Sequence, residues 1–207
     1  MYRLIRKIII ILSCHILYRV KYENEEVLKQ LDKCLICPNH SRIYDPIYLY
    51  PKVDNMYSMA KSELFKHKIV ARFLEYNNAF PIDRERVDAG SLKKAIKLIK
   101  TNEKIKLLIF PEGKVIKDKS ERGVVKKGPI YISKLAGVPI IPVYITARPR
   151  YFSKVIVKFG EPIYLENRNT KDKELIEKDS KMLMKKIYEM EDDFGDGGKN
   201  HLAKKKA

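Results

Sequence analysis

Ser91-Leu92-Lys93-Lys94-Ala95-Ile96-Lys97-Leu98-Ile99-Lys100, followed closely by Ile105-Lys106-Leu107-Leu108-Ile109-Phe110-Pro111, decides the fold class. The first run places apolar residues at 92, 95, 96 and 99, the spacing of one helix face. The second is a short apolar run ended by proline, the pattern of a buried strand. Outward from this pair the alternation repeats. Short apolar runs predict strands over 33–37, 56–60, 79–82, 105–110, 140–145 and 155–159. Between them, helices are predicted over 62–75, 91–100, 129–136 (stopped by Gly137) and 173–190. Asp45-Pro46 reads as a further helix start, with Asp as cap and Pro in the first turn. Strands separated by helices imply an α/β fold: a largely parallel central sheet with helices on its faces.

The 207 residues fit one domain, without internal repeat, and an apolar fraction of 45% excludes intrinsic disorder of the whole. Cys14, Cys34 and Cys37 are an odd set, two of them inside apolar runs, which argues against a disulfide framework. Cys34 and Cys37 have a C-x-x-C spacing, but no second Cys/His pair completes a zinc site; they read as buried strand residues. Basic residues number 43 against 26 acidic, a formal charge of +17. Such a field favours anionic partners: nucleic acid, acidic lipid, phosphorylated small molecules or an acidic carrier protein.

The amino terminus narrows that choice. Arg3, Arg6 and Lys7, then Arg19 and Lys21, flank an uncharged run from Ile8 to Tyr18. Those eleven residues would rise only about 17 Å as a helix, against a hydrocarbon core of roughly 30 Å. No small-residue cleavage site follows, so a removable signal is a poor fit. An amphipathic, membrane-associating helix over 1–22, lying in an anionic interface, suits both the run and its flanks. Residues 23–192 then form the folded domain, and 193–207 read as a disordered basic tail.

Three strand-end loops carry chemistry. Pro38-Asn39-His40-Ser41-Arg42-Ile43-Tyr44-Asp45 offers a histidine with a carboxylate five residues on. A proton-accepting His needs its far ring nitrogen held by an acceptor. Five residues turn about 140° on a helix, so the pair meets only if the segment is a turn, as Pro38 and Asp45-Pro46 predict. Taken alone, the same two residues also suit a helix cap. Ala79-Phe80-Pro81-Ile82-Asp83-Arg84-Glu85-Arg86 empties a strand into two arginines, whose planar forks suit a phosphate monoester or, equally, neighbouring carboxylates. Leu108-Ile109-Phe110-Pro111-Glu112-Gly113-Lys114 sets a carboxylate at the sheet edge, placed either to bind a hydroxyl or to orient the His.

In order and together, these blocks resemble the glycerolipid acyltransferases, specifically the 1-acyl-sn-glycerol-3-phosphate acyltransferases. The likeness rests on Asn39-His40-Ser41-x-x-x-Asp45, Phe80-Pro81-Ile82-Asp83-Arg84, Phe110-Pro111-Glu112-Gly113 and Val138-Pro139-Ile140-Ile141-Pro142-Val143. Ala60-Lys61-Ser62-Glu63-Leu64 and Lys126-Lys127-Gly128 support it, and it extends over residues 1–165. Two departures concern the acceptor: Lys114-Val115-Ile116 stands where the family has Thr-Arg-Ser, and Asn78 where it tends to have Gly.

The resemblance implies acyl transfer from a thioester, on coenzyme A or acyl carrier protein, to the free hydroxyl of lysophosphatidic acid, making phosphatidic acid for phospholipid biosynthesis. It implies His40 as general base oriented by Asp45, with no metal and no cofactor beyond the thioester co-substrate. Arg84 is the leading phosphate ligand, with Lys61, Arg86 and Lys114 as further candidates. Glu112 and Gly113 shape the acceptor pocket, and Asn39 and Ser41 complete the substrate-binding set. Glycerol-3-phosphate or another lysophospholipid is the alternative acceptor. An enzyme on such a lipid works at the membrane surface, most simply as a peripheral or monotopic protein on the cytoplasmic face. The rival is a non-catalytic basic protein binding nucleic acid or membrane; no recognisable nucleic-acid module supports it, and aromatics such as Phe110, Tyr131 and Phe159 fall at core positions.

Overall fold

The computed structural model describes residues 18–82, 89–123, 125–146, 152, 154–165 and 169–192. Seven strands form one sheet: β1 (Arg19–Glu23), β2 (Lys33–Pro38), β3 (Met56–Lys61), β4 (Ala79–Ile82), β5 (Ile105–Leu108), β6 (Ile140–Ile145) and β7 (Lys154–Phe159). Their order is β1-β7-β6-β2-β5-β3-β4. Every pairing is parallel except β6 with β7, so the expected α/β, largely parallel sheet is the one observed.

Period-two alternation splits the apolar residues between two cores. Cys34, Ile36, Leu108, Ile141 and Val143 face one side, with Tyr48 and Leu49 of α1 (Asp45–Leu49) against them. Leu35, Cys37, Leu107 and Ile140 face the other. There they meet Ala95 and Ile99 of α3 (Ala89–Thr101), Ile130 and Ile132 of α4 (Gly128–Ala136), and Ile176, Leu183 and Ile187 of α5 (Lys173–Asp192). Cys34 and Cys37 thus belong to opposite cores and cannot share a ligand. Burial pushes the Cys34 thiol up to about 12.

Several sequence expectations change. Residues 19–22, assigned above to the amino-terminal helix, are strand: β1 alternates Val20 inward with Arg19 and Lys21 outward and zips onto β7 from Arg19↔Lys154 to Glu23↔Lys158. The rest of that predicted helix, 1–17, lies outside the described residues, as does the predicted tail 193–207. The single helix expected over 62–75 is a 3₁₀ turn, Ser62–Lys66, and a separate α2 (Lys68–Tyr76), divided by His67 in an extended conformation. That break lets Leu64 stay against the body of the protein while Ile69 faces out, 87% exposed. Asp45 does not cap α1. Tyr44 occupies the cap and Asp45 is the first helical residue, its carboxylate turned back to bond Ser41 and Arg42.

The central strand is β2, with β5 beside it and β3 beyond. Parallel strands bring their carboxyl ends, and the loops that leave them, to one edge of the sheet, where ligands bind in open α/β folds. The loops following Pro38, Leu108 and Lys61 therefore meet there.

Candidate functional site

The loop after β2 is held from three directions. Asn39 grips the end of β6 with both atoms of its amide: Nδ2 donates to the Ile145 carbonyl (3.0 Å) and Oδ1 accepts from the Ile145 N–H (2.7 Å). The His40 N–H donates to Glu112 Oε2 (2.7 Å), and the His40 carbonyl accepts from the Ile116 N–H (2.7 Å). Asp45 Oδ2 accepts from the backbone N–H groups of Ser41 (2.7 Å) and Arg42 (2.8 Å). This closes the turn that the H-x4-D spacing requires.

In that frame His40 Nδ1 lies 3.1 Å from Asp45 Oδ2, and the imidazole stacks on Phe110 with ring centroids 3.9 Å apart. Both His40 and Asp45 are buried. A carboxylate facing Nδ1 favours the tautomer with the proton on that nitrogen, which leaves the Nε2 lone pair for substrate. The pair can take a proton from a hydroxyl and hold the resulting imidazolium.

Glu112 is 1% exposed and spends both oxygens within the protein, Oε2 on the His40 N–H and Oε1 on the Tyr188 hydroxyl. Burial raises its carboxyl above the ordinary range, against the lowering effect of those two bonds and of His40 and Arg122. Arg122 lies over the Tyr188 ring, 4.1 Å from its centroid, and forks onto Glu191 with bonds of 2.5 and 3.2 Å. The carboxylate at the sheet edge is thus a link between α5 and the His40 loop. Tyr188 and Arg122 were not singled out in the sequence; 76 residues separate Tyr188 from Glu112, and no motif joins them.

A pH effect on stability follows. Because its folded pKa is raised, Glu112 binds its proton more tightly folded than unfolded, so its contribution is complete below the ordinary Glu range and is lost as pH rises through the folded value. Glu112→Gln is expected to remove that dependence. The free-energy difference between variant and wild type, from urea melts at a series of pH values, should shift in the variant's favour as pH climbs above about 4. A difference that stays flat with pH contradicts this account of Glu112.

The His40 ring forms part of the wall of a cleft of about 630 Å³. Its lining combines the apolar side chains of Ile43, Tyr44, Ile47, Met59, Leu64 and Phe110 with the three lysines Lys61, Lys114 and Lys126. Lys61 pairs with Glu63 (3.3 Å) and Lys114 with Glu121 (3.0 Å). Among the described residues no carboxylate pairs with Lys126. Its stem crosses Gly113, whose φ of 69° suits glycine and where a Cβ would sit 2.7 Å from Lys126 Cγ.

Of the residues expected from sequence, the structure brings His40, Lys61, Glu112, Gly113 and Lys114 to the cleft and puts Asp45 behind His40. Asn39 and Ser41, expected to bind substrate, do not line it. Asn39 is used up on β6, and the Ser41 backbone N–H serves Asp45. Arg84 and Arg86 lie outside the described residues. Lys126 joins the cleft, a position noted in the sequence only as part of Lys126-Lys127-Gly128.

A family model described as Acyltransferase matches residues 19–146, which include β1 through β6 and all of the cleft residues named above. The chain belongs to the acyltransferase family. Within that family it is similar to a Streptococcus pneumoniae protein named 1-acyl-sn-glycerol-3-phosphate acyltransferase, 30% identical over 186 residues, 85% of this chain and 67% of the relative. A Bacillus subtilis protein of the same name is 35% identical over 125 residues, 59% of this chain and 60% of the relative. Among solved structures, the acyltransferase fold here resembles that of the 1-acyl-sn-glycerophosphate (LPA) acyltransferase PlsC from Thermotoga maritima, with a TM-score of 0.62 at 25% identity, over 83% of this chain and 72% of that one.

Proposed function

We propose that this acyltransferase moves an acyl group from a thioester, on coenzyme A or acyl carrier protein, to the free hydroxyl of 1-acylglycerol-3-phosphate, making phosphatidic acid. The observation that carries the reading is the His40–Asp45 pair at a cleft lined both by apolar side chains and by Lys61, Lys114 and Lys126. An acyl chain and a phosphate need those two kinds of contact.

His40 Nε2 takes the proton of the acceptor hydroxyl, and Asp45 offsets the charge on the imidazolium. The alkoxide oxygen bonds to the thioester carbonyl carbon, the tetrahedral oxyanion collapses, and the carbon–sulfur bond breaks. Thiolate departs readily because a thiol is a much stronger acid than an alcohol, so its anion is the weaker base, and the imidazolium proton neutralises it. His40 is then neutral for the next turnover. Two relatives that carry the name of this activity support the substrate assignment. Phosphate capture falls to Lys126 and Lys61 within the described cleft, together with Arg84. The basic and apolar amino-terminal sequence and the formal charge of +17 support a location on an anionic leaflet, at the cytoplasmic face. No helix among the described residues is long and apolar enough to cross a membrane.

The deciding experiment is transfer of a radiolabelled acyl group to lysophosphatidic acid, with both donors in parallel and with glycerol-3-phosphate and lysophosphatidylglycerol as comparison acceptors. Labelled phosphatidic acid is the expected product; preference for another acceptor keeps the chemistry and replaces the substrate. Lys126→Met keeps the stem over Gly113 and removes the charge. It is expected to raise KM for lysophosphatidic acid by roughly tenfold with little change in kcat, the loss of one charged hydrogen bond shared by ground and transition states. Steady-state kinetics check this, and an unchanged KM removes Lys126 from the phosphate site.

A further inference from the structure

We propose that α2 is a membrane-docking element, laying the stripe Ile69, Phe73 and Tyr76 into the surface of an anionic bilayer beside the mouth of the cleft. None of the nine residues of α2 is buried. Three of its apolar residues nonetheless fall at i, i+4 and i+7 on one face and are 87%, 50% and 41% exposed, with Val70 beside them at 39%. A contiguous apolar surface of this kind on a folded domain marks an interaction site.

Three observations choose the occupant. Lys66, Lys68 and Arg72 are exposed around the stripe, whereas α2 carries a single acidic residue, Glu75. That is the pattern of a helix held in an interface by apolar burial and by attraction to acidic headgroups. The same cations repel the two other candidates: residues 1–17 bear Arg3, Arg6 and Lys7, and a second copy of the chain bears +17. The apolar surface also continues inward. Phe73 belongs both to the exposed stripe and to the cleft wall, and Ile43, 70% exposed, lines the cleft as well. A lipid entering from a bilayer under α2 keeps apolar contact until it reaches His40.

The inference deepens the lipid-acceptor reading, and its test is free of turnover, so the two can fail separately. The chain contains no tryptophan, so Ile69→Trp in the full protein gives a single reporter. With phosphatidylcholine vesicles containing phosphatidylglycerol, emission should shift to the blue and be quenched by lipids brominated on the acyl chain. Both effects should weaken with added salt and be small on phosphatidylcholine alone. In the otherwise native chain, Ile69→Ser with Val70→Ser should weaken anionic-vesicle binding by about tenfold while leaving the circular dichroism spectrum unchanged. Blue emission without vesicles that persists on dilution would mean the chain covers its own helix. Blue emission lost on dilution would mean a second copy does. Emission that stays red with every vesicle would leave α2 facing only water. Each of these three results overturns the proposal. An active chain whose reporter stays red separates failed docking from failed catalysis.

Discussion

His40→Ala is expected to lower kcat for acyl transfer by about 10² to 10⁴, the range supplied by a positioned general base. KM for the acceptor should change little, because the lysines and the apolar side chains proposed to hold it are untouched. The fold should survive. His40 is braced through its backbone, whose N–H bonds Glu112 and whose carbonyl bonds Ile116, and both bonds remain available to alanine. What disappears is the imidazole, with its stacking on Phe110, an aromatic contact worth about 1 kcal/mol beyond its buried area, and its contact with Asp45 Oδ2, which keeps the Ser41 and Arg42 N–H donors. The melting temperature should therefore fall by only a few degrees. Initial rates with labelled donor, set beside a thermal melt, read the two effects independently. Turnover within threefold of wild type would show that the proton leaves by another route.

How far this site could be read from sequence differs residue by residue. The α3–β5 pair was legible because a helical period and an apolar run are local properties, and both faces of a doubly covered sheet demand them. β1 was not. Five residues with three charges look like the flank of a helix, and only pairing with β7, more than a hundred residues away, turns Val20 inward and leaves Arg19 and Lys21 outside. The break at His67 has the same character: the apolar spacing runs through it, and the extended backbone at that residue has no marker in composition.

The His40–Asp45 pair was legible as a spacing because its geometry is made within one loop. Asp45 reaches back to Ser41 and Arg42, so the turn that joins it to His40 is closed locally. Glu112 was placed correctly at the sheet edge, and its two partners come from elsewhere in the chain. One is the His40 backbone; the other is Tyr188 on α5. Asn39 shows the opposite error. An amide beside a reactive histidine invites a role with substrate, yet the position after β2 lies alongside the last residue of β6, and the amide completes that ladder instead. Long-range partners set the function of these side chains, and neighbours in sequence do not reveal them.

Asp45 tests whether the carboxylate braces a loop, supplies charge, or does both. Its Oδ2 accepts two backbone N–H groups and faces His40 Nδ1, with the side chain fully buried. Asp45→Ala strands the Ser41 and Arg42 donors, each at a cost of roughly 1–3 kcal/mol. A chain of this size should then melt about 5 to 15 °C lower, and turnover should vanish with the turn. Asp45→Asn keeps the shape. Its amide oxygen can still accept from both N–H groups, so most of the stability should return. The neutral amide cannot offset an imidazolium, however, even with its oxygen held in the Oδ2 position by the two N–H groups and facing Nδ1. A fall in kcat of at least about a hundredfold is expected. The informative comparison is therefore between the variants: Ala losing stability and activity together, Asn losing activity alone. If Asn retains wild-type kcat at wild-type stability, the negative charge has no part in catalysis and Asp45 is a brace for the loop.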